Sequence, residues 1–201
     1  MQRIRAAVRP RRPWKNGGGV TTEIAIAPAG AGFDDFDWRI STATVGVAGP
    51  FSRFDGVDRS LAILQGDGLK LAIDGAAPFD LTPASTPCVF TGEQAAHAAL
   101  VGGAVTDFNV MTRRARWRHT LRALEVGGEP VLVPGADVVL AYCAGAPIGA
   151  GLRCEDEQGE QLELAPGDAA LATAAAGVTL SSLGGPVKVL LVRLYEQAME
   201  L

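Results

Sequence analysis

The segment Gly102-Gly103-Ala104-Val105 opens a run of alternating side chains that extends from Val105 to Thr112. Its pattern returns 82 residues later, where Gly184-Gly185-Pro186-Val187 opens a run that extends to Tyr195. A glycine pair followed by period-two alternation is typical of a tight turn that leads into a β-strand. The two segments therefore predict a β fold built twice. Chance similarity between glycine-rich hairpins is the alternative, and the sequence alone leaves both interpretations open.

Short apolar or alternating runs continue outward from these two segments, at spacings near ten residues. Twenty-five glycines and 12 prolines among the 201 residues supply the turns between them. The pattern predicts an all-β protein with little helix, and the best helical candidates are residues 92–99 and the extreme C-terminus. The predicted strands are 21–27, 37–45, 61–64, 69–73, 87–90, 105–112, 131–133, 138–142, 151–154, 161–164, 169–172, 178–182 and 187–195.

The repeat also predicts the domain organisation. Residues 1–115 would form one β-barrel and residues 116–201 a second, intertwined with the first and joined to it near 116–129. At the 82-residue offset, Asp107 and Asn109 fall opposite Val189 and Leu191 on the same strand face. An unpartnered polar group inside a small barrel costs about 1–3 kcal/mol. The first barrel is therefore predicted to hold water, a polar network or a ligand, unless the two polar side chains face solvent instead.

Composition and charge narrow the class of protein. The chain carries 18 basic and 22 acidic residues, and six of the basic ones lie within the first 15 positions. A basic arm could contact phosphates, but the acidic remainder would repel a polyanion, so no nucleic-acid partner is expected. The three cysteines form no CxxC pair and are expected to be buried free thiols in a reducing compartment. No apolar leader and no apolar run long enough for a bilayer is visible, which predicts a cytoplasmic protein without a membrane partner.

The segment Trp14-Lys15-Asn16-Gly17-Gly18-Gly19 is the least ordinary in the chain. The alternating residues that follow it indicate a strand, so it is not a phosphate loop at the start of a helix. Its glycines can expose backbone N–H groups as a nest for a carboxylate, with Lys15 as counter-charge and Asn16 as donor and acceptor. A flexible turn before a strand is the alternative.

Two further residues have side chains suited to ligand chemistry. Arg59 stands at the entrance of an apolar strand and offers a planar fork for a carboxylate, although a solvated flank or a partner for Asp55 or Asp58 explains it equally well. Glu93 could orient a bound cation or an arginine, or cap a turn. By contrast, alternation with Trp38 and Ile40 predicts that Arg39 faces away from the core.

Several blocks, in order within residues 10–114, resemble those of the HutD/Ves family. They are Pro13-Trp14-Lys15-Asn16-Gly17-Gly18-Gly19, Thr22-Glu23-Ile24, Asp37-Trp38-Arg39-Ile40-Ser41, Gly49-Pro50-Phe51-Ser52-Arg53-Phe54, Asp58-Arg59-Ser60, Phe90-Thr91-Gly92-Glu93 and Asp107-Phe108-Asn109-Val110-Met111. The resemblance implies a bicupin-like fold of two cupin-like β-barrels in a bacterial cytoplasmic protein. In the HutD branch it implies a link to histidine utilisation, in which the protein binds a pathway intermediate, such as urocanate or formyl- or formimino-glutamate, and moderates expression. The Ves branch is associated with stress and cold, and these motifs do not decide between the branches.

Together with the residues themselves, the resemblance defines a candidate site in the first barrel. Metal-using cupins normally provide two or three histidines and a glutamate, whereas Phe51, Arg53 and Arg59 stand in the corresponding segment here, so neither a metal nor another cofactor is expected. A small anionic metabolite is the expected partner, and a homodimer stays open. The predicted ligand-binding residues are Lys15, Asn16, Gly17, Gly18 and Arg59 around the anionic end, Glu93, Asp107 and Asn109 deeper in, and Phe51 and Phe90 as apolar walls.

A binder that does not transform its ligand is the leading hypothesis. A metal-independent lyase, epimerase or hydrolase with Glu93 or Asp107 as general base is the second. An interaction module that uses the basic N-terminal arm is the third.

Overall fold

The computed structural model describes residues 1–14, 17–175 and 177–198. Over these ranges the chain is almost entirely β, with one short 3₁₀ helix at Ala6–Val8. The strands are β1 (Gln2–Ile4), β2 (Arg11–Pro13), β3 (Gly19–Ala27), β4 (Trp38–Val45), β5 (Gly49–Pro50), β6 (Val57–Gln65), β7 (Leu69–Ile73), β8 (Phe79–Leu81), β9 (Cys88–Thr91), β10 (Ala96–Leu100), β11 (Val105–Arg113), β12 (Trp117–Val126), β13 (Val131–Val133), β14 (Ala136–Gly145), β15 (Gly151–Asp156), β16 (Gln161–Leu164), β17 (Ala169–Ala175), β18 (Val178–Leu183) and β19 (Val187–Glu196). Within the described ranges, no helix has the length and apolar character needed to cross a membrane.

The chain divides into two compact units. Among the described residues, the first unit comprises 9–118 with 197 and 198, and the second comprises 1–8 and 119–196. This division differs from the predicted one at the N-terminus, where residues 1–8 join the second unit because β1 pairs antiparallel with β17. In that unit the Asp168 carboxylate accepts hydrogen bonds from the Arg3 side chain, at 2.7 and 3.1 Å, and from the Ala6 backbone at 2.9 Å.

Each unit consists of two antiparallel sheets, and the strand order repeats. In the first unit the sheets are β2-β3-β4-β11-β6-β9 and β5-β10-β7-β8. In the second they are β1-β17-β14-β19-β12 and β13-β18-β15-β16. The order β9-β6-β11-β4 thus returns as β17-β14-β19-β12, and the whole smaller sheet returns strand for strand. The spacing of the two glycine-pair segments therefore marks a repeat of topology, because β11 and β19 hold the same place in their sheets.

The core of the first unit lies between its two sheets and is apolar at one end. Alternate residues of β6, β7, β10 and β11 point inward because successive side chains of a strand lie on opposite faces. Val45 of β4 and Val105 of β11 belong to this apolar end, where they are directly paired across the two neighbouring strands. The buried cluster comprises Val45, Leu61, Ile63, Leu69, Leu71, Leu81, Phe90, Ala96, Ala98 and Val105. Further along the same faces, the inward positions of β11 turn polar.

The core of the second unit is apolar along the corresponding strand. Val187, Val189 and Leu191 of β19 all belong to its buried cluster. Two of the three thiols, Cys143 and Cys154, are buried in the same cluster, and all three cysteines are free, with Cys88 half-buried. The asymmetry expected from the repeat is present in the structure, since Asp107 is buried in the first unit where Val189 packs in the second.

Two sequence-based assignments of secondary structure were wrong. Residues 92–99, the best helical candidate, include strand β10, because Ala96 and Ala98 alternate into the core while His97 between them is exposed. The predicted linker 116–129 contains the ten-residue strand β12. The short strands β1, β2, β5 and β8 were not predicted either, since two or three residues carry too little periodicity.

Gly92 tests the close backbone packing between the turn after β9 and the segment before β6. Its backbone N–H donates to Val57 O at 2.7 Å, its carbonyl accepts from Phe54 N at 2.9 Å, and a Cβ added there would collide with the Phe54 carbonyl oxygen. We expect Gly92→Ala to lower the free energy of unfolding by about 1–3 kcal/mol in denaturant titrations. Gly103→Ala is the control, because a Cβ there meets no atom within 4 Å. Equal stability of the two variants would contradict the described packing.

Candidate functional site

A cavity of about 730 Å³ opens in the first unit, beyond its apolar core. The inward faces of β4, β6 and β11 form its floor, and residues 47–52 and Phe54 form part of its wall. A volume of several hundred Å³ with mixed lining is typical of small-molecule sites. The side chains that carry chemistry in this lining are Arg39, Ser41, Arg59, Asp107 and Asn109.

The strand register brings these side chains together. Met111 of β11 is paired with Arg39 on β4 at one side and with Arg59 on β6 at the other. Asn109 follows two residues earlier on the same face of β11, opposite Ser41. Cross-strand neighbours on one face have Cβ atoms about 4.5–5.5 Å apart, so the two arginines flank a single row of the sheet.

Arg59 is buried in an aromatic enclosure. Its side-chain carbon Cζ lies 4.9 Å from the ring centre of Phe90, 5.3 Å from that of Phe51 and 5.6 Å from that of Phe54. The residue is only 3% exposed. Aromatic faces attract a cation, and the attraction strengthens when water is excluded. The three rings therefore fix the guanidinium in the wall of the cavity.

The hydrogen-bonding capacity of Arg59 is only partly used. Nη1 donates to Ser52 O at 3.1 Å, while the buried Nε has no hydrogen-bond partner within the described ranges. Among the described residues, no carboxylate is ion-paired with this guanidinium. Burial lowers the pKa of Arg59 to about 10, and the nearby charge of Arg39 acts in the same direction, whereas Asp107 opposes it. The side chain still carries its charge at neutral pH and can accept an anionic partner.

Arg39 differs from Arg59 because it has a partner. Its Nε donates to Glu23 Oε2 at 3.1 Å, and its Cζ lies 4.8 Å from the ring centre of Phe33. The residue is 6% exposed. The paired Glu23 balances the charge of Arg39, so Arg59 is the buried arginine of the described lining whose charge is not balanced by an ion pair.

Asp107 is a buried carboxyl group at the apolar end of the cavity. It is 1% exposed, and its Oδ1 accepts one hydrogen bond from the Ala43 backbone at 3.1 Å. Burial raises the pKa of Asp107 to about 7, although the charge of Arg59 and the Ala43 hydrogen bond act against this. The group can therefore exchange a proton near neutral pH, as a general acid or base must.

Asn109 lies between the two charged groups. Within the ranges that the structure describes, its buried Oδ1 has no hydrogen-bond partner. Leaving a buried acceptor unpaired costs about 1–3 kcal/mol. Such a cost is compensated when a ligand or a bound water supplies the missing donor.

The remaining residues of the predicted site fall into three groups. Phe51 and the buried Gly18 line the cavity. Phe90 does not line it but packs its ring against the Arg59 guanidinium, which does. Gly17 is exposed, is not part of the lining, and has the positive φ of 70° that glycine adopts readily. Lys15 and Asn16 lie outside the described residues.

Glu93 does not lie deep in the cavity as the sequence predicted. Its side chain is 40% exposed and accepts from Arg114 Nη2 at 3.1 Å and from the Gly56 backbone at 2.7 Å. The Arg114 hydrogen bonds are the main reason why the pKa of Glu93 falls to about 2. Glu93 therefore holds the turn before β6, through its hydrogen bond with the Gly56 backbone, and is not part of the cavity lining.

Arg39 lines the candidate site, but the sequence analysis misplaced it. It was predicted to face away from the core because Trp38 and Ile40 alternate with it. The structure buries both faces of β4, with Trp38 and Ile40 on one and Arg39 and Ser41 on the other. The available signal was the polar pair Thr21 and Glu23 on the preceding strand, which indicates a polar interior next to β4.

The donor set of the cavity does not fit a divalent metal ion. Its described lining offers one carboxylate, Asp107, together with two buried arginines and no histidine. Divalent metals in proteins prefer several carboxylates, histidines or thiolates. No group of three or more such side chains occurs anywhere in the described ranges.

Two units of paired antiparallel sheets, one with an open polar interior, are characteristic of cupin-like β proteins. A cupin 2 conserved barrel domain protein from Leptotrichia buccalis shares this fold, with a TM-score of 0.58 at 10% identity over 87% of this chain and 88% of that one. The chain belongs to the HutD family, whose model matches residues 6–189.

Relatives and solved structures agree with this assignment. An uncharacterized 21.2 kDa protein from the hutC 3′ region of Pseudomonas putida is 39% identical over 148 residues, 74% of this chain and 76% of that protein. Protein Ves of Citrobacter koseri is 35% identical over 58% of this chain and 60% of its own.

Two solved structures are similar over nearly the whole chain. A conserved protein of unknown function from Pseudomonas aeruginosa has a TM-score of 0.83 at 34% identity, over 96% of this chain and 98% of its own. HutD from Pseudomonas fluorescens, solved in a formate condition, has a TM-score of 0.80 at 28% identity, over 98% of this chain and 99% of its own.

Replacing Asp107 by asparagine should change how stability depends on pH. A carboxyl whose pKa is raised in the folded state stabilises the fold below its unfolded pKa of 3.8, and this contribution is lost as the pH rises through about 7. The wild type therefore loses stability between pH 4 and pH 8, whereas the Asp107→Asn variant does not, because asparagine does not ionise. The free energy of unfolding of the variant minus that of the wild type should grow over this range. The growth should be on the order of 4 kcal/mol.

Denaturant titrations across this pH range measure the difference. Asp80→Asn is the matched control, since Asp80 is an exposed partner of Lys70. A difference for Asp107→Asn that stays flat with pH would show that the carboxyl is not desolvated as described.

Proposed function

We propose that the cavity of the first unit binds a small carboxylated metabolite without transforming it. The observation that carries this proposal is the buried, charged guanidinium of Arg59, which lines the cavity and has no ion pair among the described residues. Taking a charge out of water is costly unless an opposite charge or several hydrogen bonds compensate. A bound carboxylate supplies both.

The surroundings of Arg59 suit a carboxylate. A planar guanidinium forms two parallel hydrogen bonds with a carboxylate, and Arg59 is already held in one plane by three phenylalanine rings. Preorganisation of this kind lowers the entropy lost on binding. Arg39 adds positive potential while its own hydrogen bond goes to Glu23.

The remaining lining sets the size and polarity of the ligand. The cavity volume of about 730 Å³ admits a molecule of the size of an acylated amino acid or an imidazole acid. Phe51 and Phe54 provide apolar contact, and Asn109 and Asp107 provide polar contact further in. Urocanate and formyl- or formimino-glutamate satisfy these requirements.

The relatives support a connection with histidine degradation. One of them is encoded in the hutC 3′ region of Pseudomonas putida, and HutD of Pseudomonas fluorescens has a similar fold over nearly the whole chain. A protein that binds an intermediate of this pathway can moderate the pathway's expression by responding to the concentration of that intermediate.

We place this action in the cytoplasm, where free thiols such as those of Cys143 and Cys154 persist. The stress-related role of the Ves branch is the competing proposal, and Ves of Citrobacter koseri is a relative of this chain as well.

Arg59→Ala tests the proposed binding directly. Removing one partner of a buried, hydrogen-bonded charge pair costs about 2–5 kcal/mol. Isothermal titration calorimetry with N-formyl-L-glutamate and with urocanate should therefore show binding to the wild type and a loss of affinity of at least about thirtyfold in the variant. Arg53→Ala is the control, because Arg53 is exposed and does not line the cavity. Unchanged affinity in Arg59→Ala would remove the guanidinium from the site.

Asp107 favours a second candidate function, that of a metal-independent cupin enzyme. A carboxyl group with a pKa of about 7 inside a ligand-sized cavity can act as general base in a lyase, epimerase or hydrolase. No second carboxyl group, and no histidine or cysteine, accompanies it among the described lining residues. For this reason binding without turnover is the preferred proposal.

Prolonged incubation distinguishes the two functions. The protein at high concentration, mixed separately with urocanate, formimino-glutamate and formyl-glutamate, should leave each compound unchanged by mass spectrometry. Asp107→Asn serves as the control for any slow conversion, because an amide cannot act as general base. Conversion by the wild type that the variant lacks would overturn the proposal of a simple binder and establish the enzyme.

A further inference from the structure

We propose that the cavity takes up its anionic ligand together with one proton, so that Asp107 binds the ligand as a neutral acid. The inference rests on the proposed function, since it assumes that Arg59 receives an anion. It adds a second ligand-binding group with a defined protonation state, and it restricts the chemical class of the ligand.

The position of Asp107 supports the proposal. It lines the same cavity as Arg59 and lies four residues before Met111, the residue of β11 that pairs with Arg59. Four residues of a strand span about 13 Å, and the arginine side chain covers part of this distance. Asp107 and Arg59 are therefore close enough to influence each other's charge but are not ion-paired. A ligand can lie between them with one end at each.

The hydrogen bonds of Asp107 leave one oxygen for the ligand. Oδ1 accepts from the Ala43 backbone, and no other hydrogen bond to the carboxyl group occurs among the described residues. Oδ2 has no hydrogen-bond partner among the described residues, and Asp107 lines the cavity. A carboxyl group in this setting offers an O–H donor when neutral and an uncompensated charge when ionised.

The charges that face Asp107 decide which form persists in the complex. Arg59 on β6 is the cation that favours the ionised form. Arg39 on β4 is balanced by Glu23 on β3, and Arg12 on β2 lies at the exposed margin of the cavity. A carboxylate bound to Arg59 cancels the one favourable charge and adds an unfavourable one. Because electrostatic interactions are strong in a cavity shielded from water, protonation of Asp107 then accompanies binding.

A neutral Asp107 selects the far end of the ligand. Its O–H donates to an oxygen acceptor, such as a carbonyl group or a second carboxylate. A cationic end, such as an imidazolium or an amidinium group, would instead stabilise the ionised carboxylate and bind without proton uptake. The ligand class is therefore a carboxylate that carries a second oxygen acceptor, with N-acyl amino acids and dicarboxylates as members.

Calorimetric proton counting tests the inference on the unmodified protein. N-formyl-L-glutamate is a suitable probe because both of its carboxyl groups stay ionised between pH 6 and 8.5 and its amide does not titrate. Binding enthalpies measured at pH 7 in phosphate, HEPES and Tris differ by the number of protons exchanged times the buffer ionisation enthalpy. We expect uptake of about half a proton at pH 7, rising toward one at pH 8. The affinity should fall by up to about tenfold per pH unit above pH 7.5.

Two variants assign the proton to its site. Asp107→Asn keeps the shape of the side chain and an N–H donor, so it should bind the probe with an affinity independent of pH and without proton uptake. Asp80→Asn, an exposed aspartate outside the cavity, should behave as the wild type does. Should Asp107→Asn fail to fold, the proton count and the pH dependence of the wild type still decide the question.

The possible failures are distinguishable. Arg59-dependent binding of N-formyl-L-glutamate with no proton uptake at pH 7 and 8 overturns this inference and leaves the proposed function standing. Uptake that persists in Asp107→Asn overturns it too, because another group then carries the proton. Absence of binding, or binding that does not depend on Arg59, overturns the proposed function itself.

Discussion

A guanidinium enclosed by three phenylalanine rings is stable inside a β fold only while its charge and its N–H groups find compensation. Arg59 satisfies part of this requirement through the rings and through Ser52 O. The rest is left to the cavity, where under the proposed function a bound anion compensates the charge. Asn109 and Asp107 extend the same polar strip along β11, and each of them also retains unused hydrogen-bonding capacity. Much of what the first unit can do therefore depends on this single buried charge.

The second unit shows what the same strand order becomes without that charge. Val189 and Leu191 occupy the strand that corresponds to β11 and pack into a continuous apolar core. One half of the repeat thus has a continuous apolar core, and the other half gives up some of its apolar burial for a polar interior. An arrangement of this kind agrees with the general observation that functional sites are where local packing rules are broken.

Most of the fold was predictable because alternation and glycine turns are local signals. β7, β13 and β16 begin and end where the sequence placed them, and the offset between Gly102 and Gly184 marked the repeat. The helical assignment of residues 92–99 failed because runs of alanine favour a helix until a sheet offers them a core. Within the site, Arg59, Asp107 and Phe51 were found through chemistry and position. Arg39 was misplaced because Trp38 and Ile40, which alternate with it, identify only one of the two buried faces of β4.

A crystal structure of the complex with N-formyl-L-glutamate tests the central claim most directly. The account predicts a carboxylate of the ligand inside the cavity, with its oxygens about 2.7–2.9 Å from the guanidinium nitrogens of Arg59. A ligand bound elsewhere on the protein, or one seated in the cavity with its carboxylates turned away from that guanidinium, would contradict it.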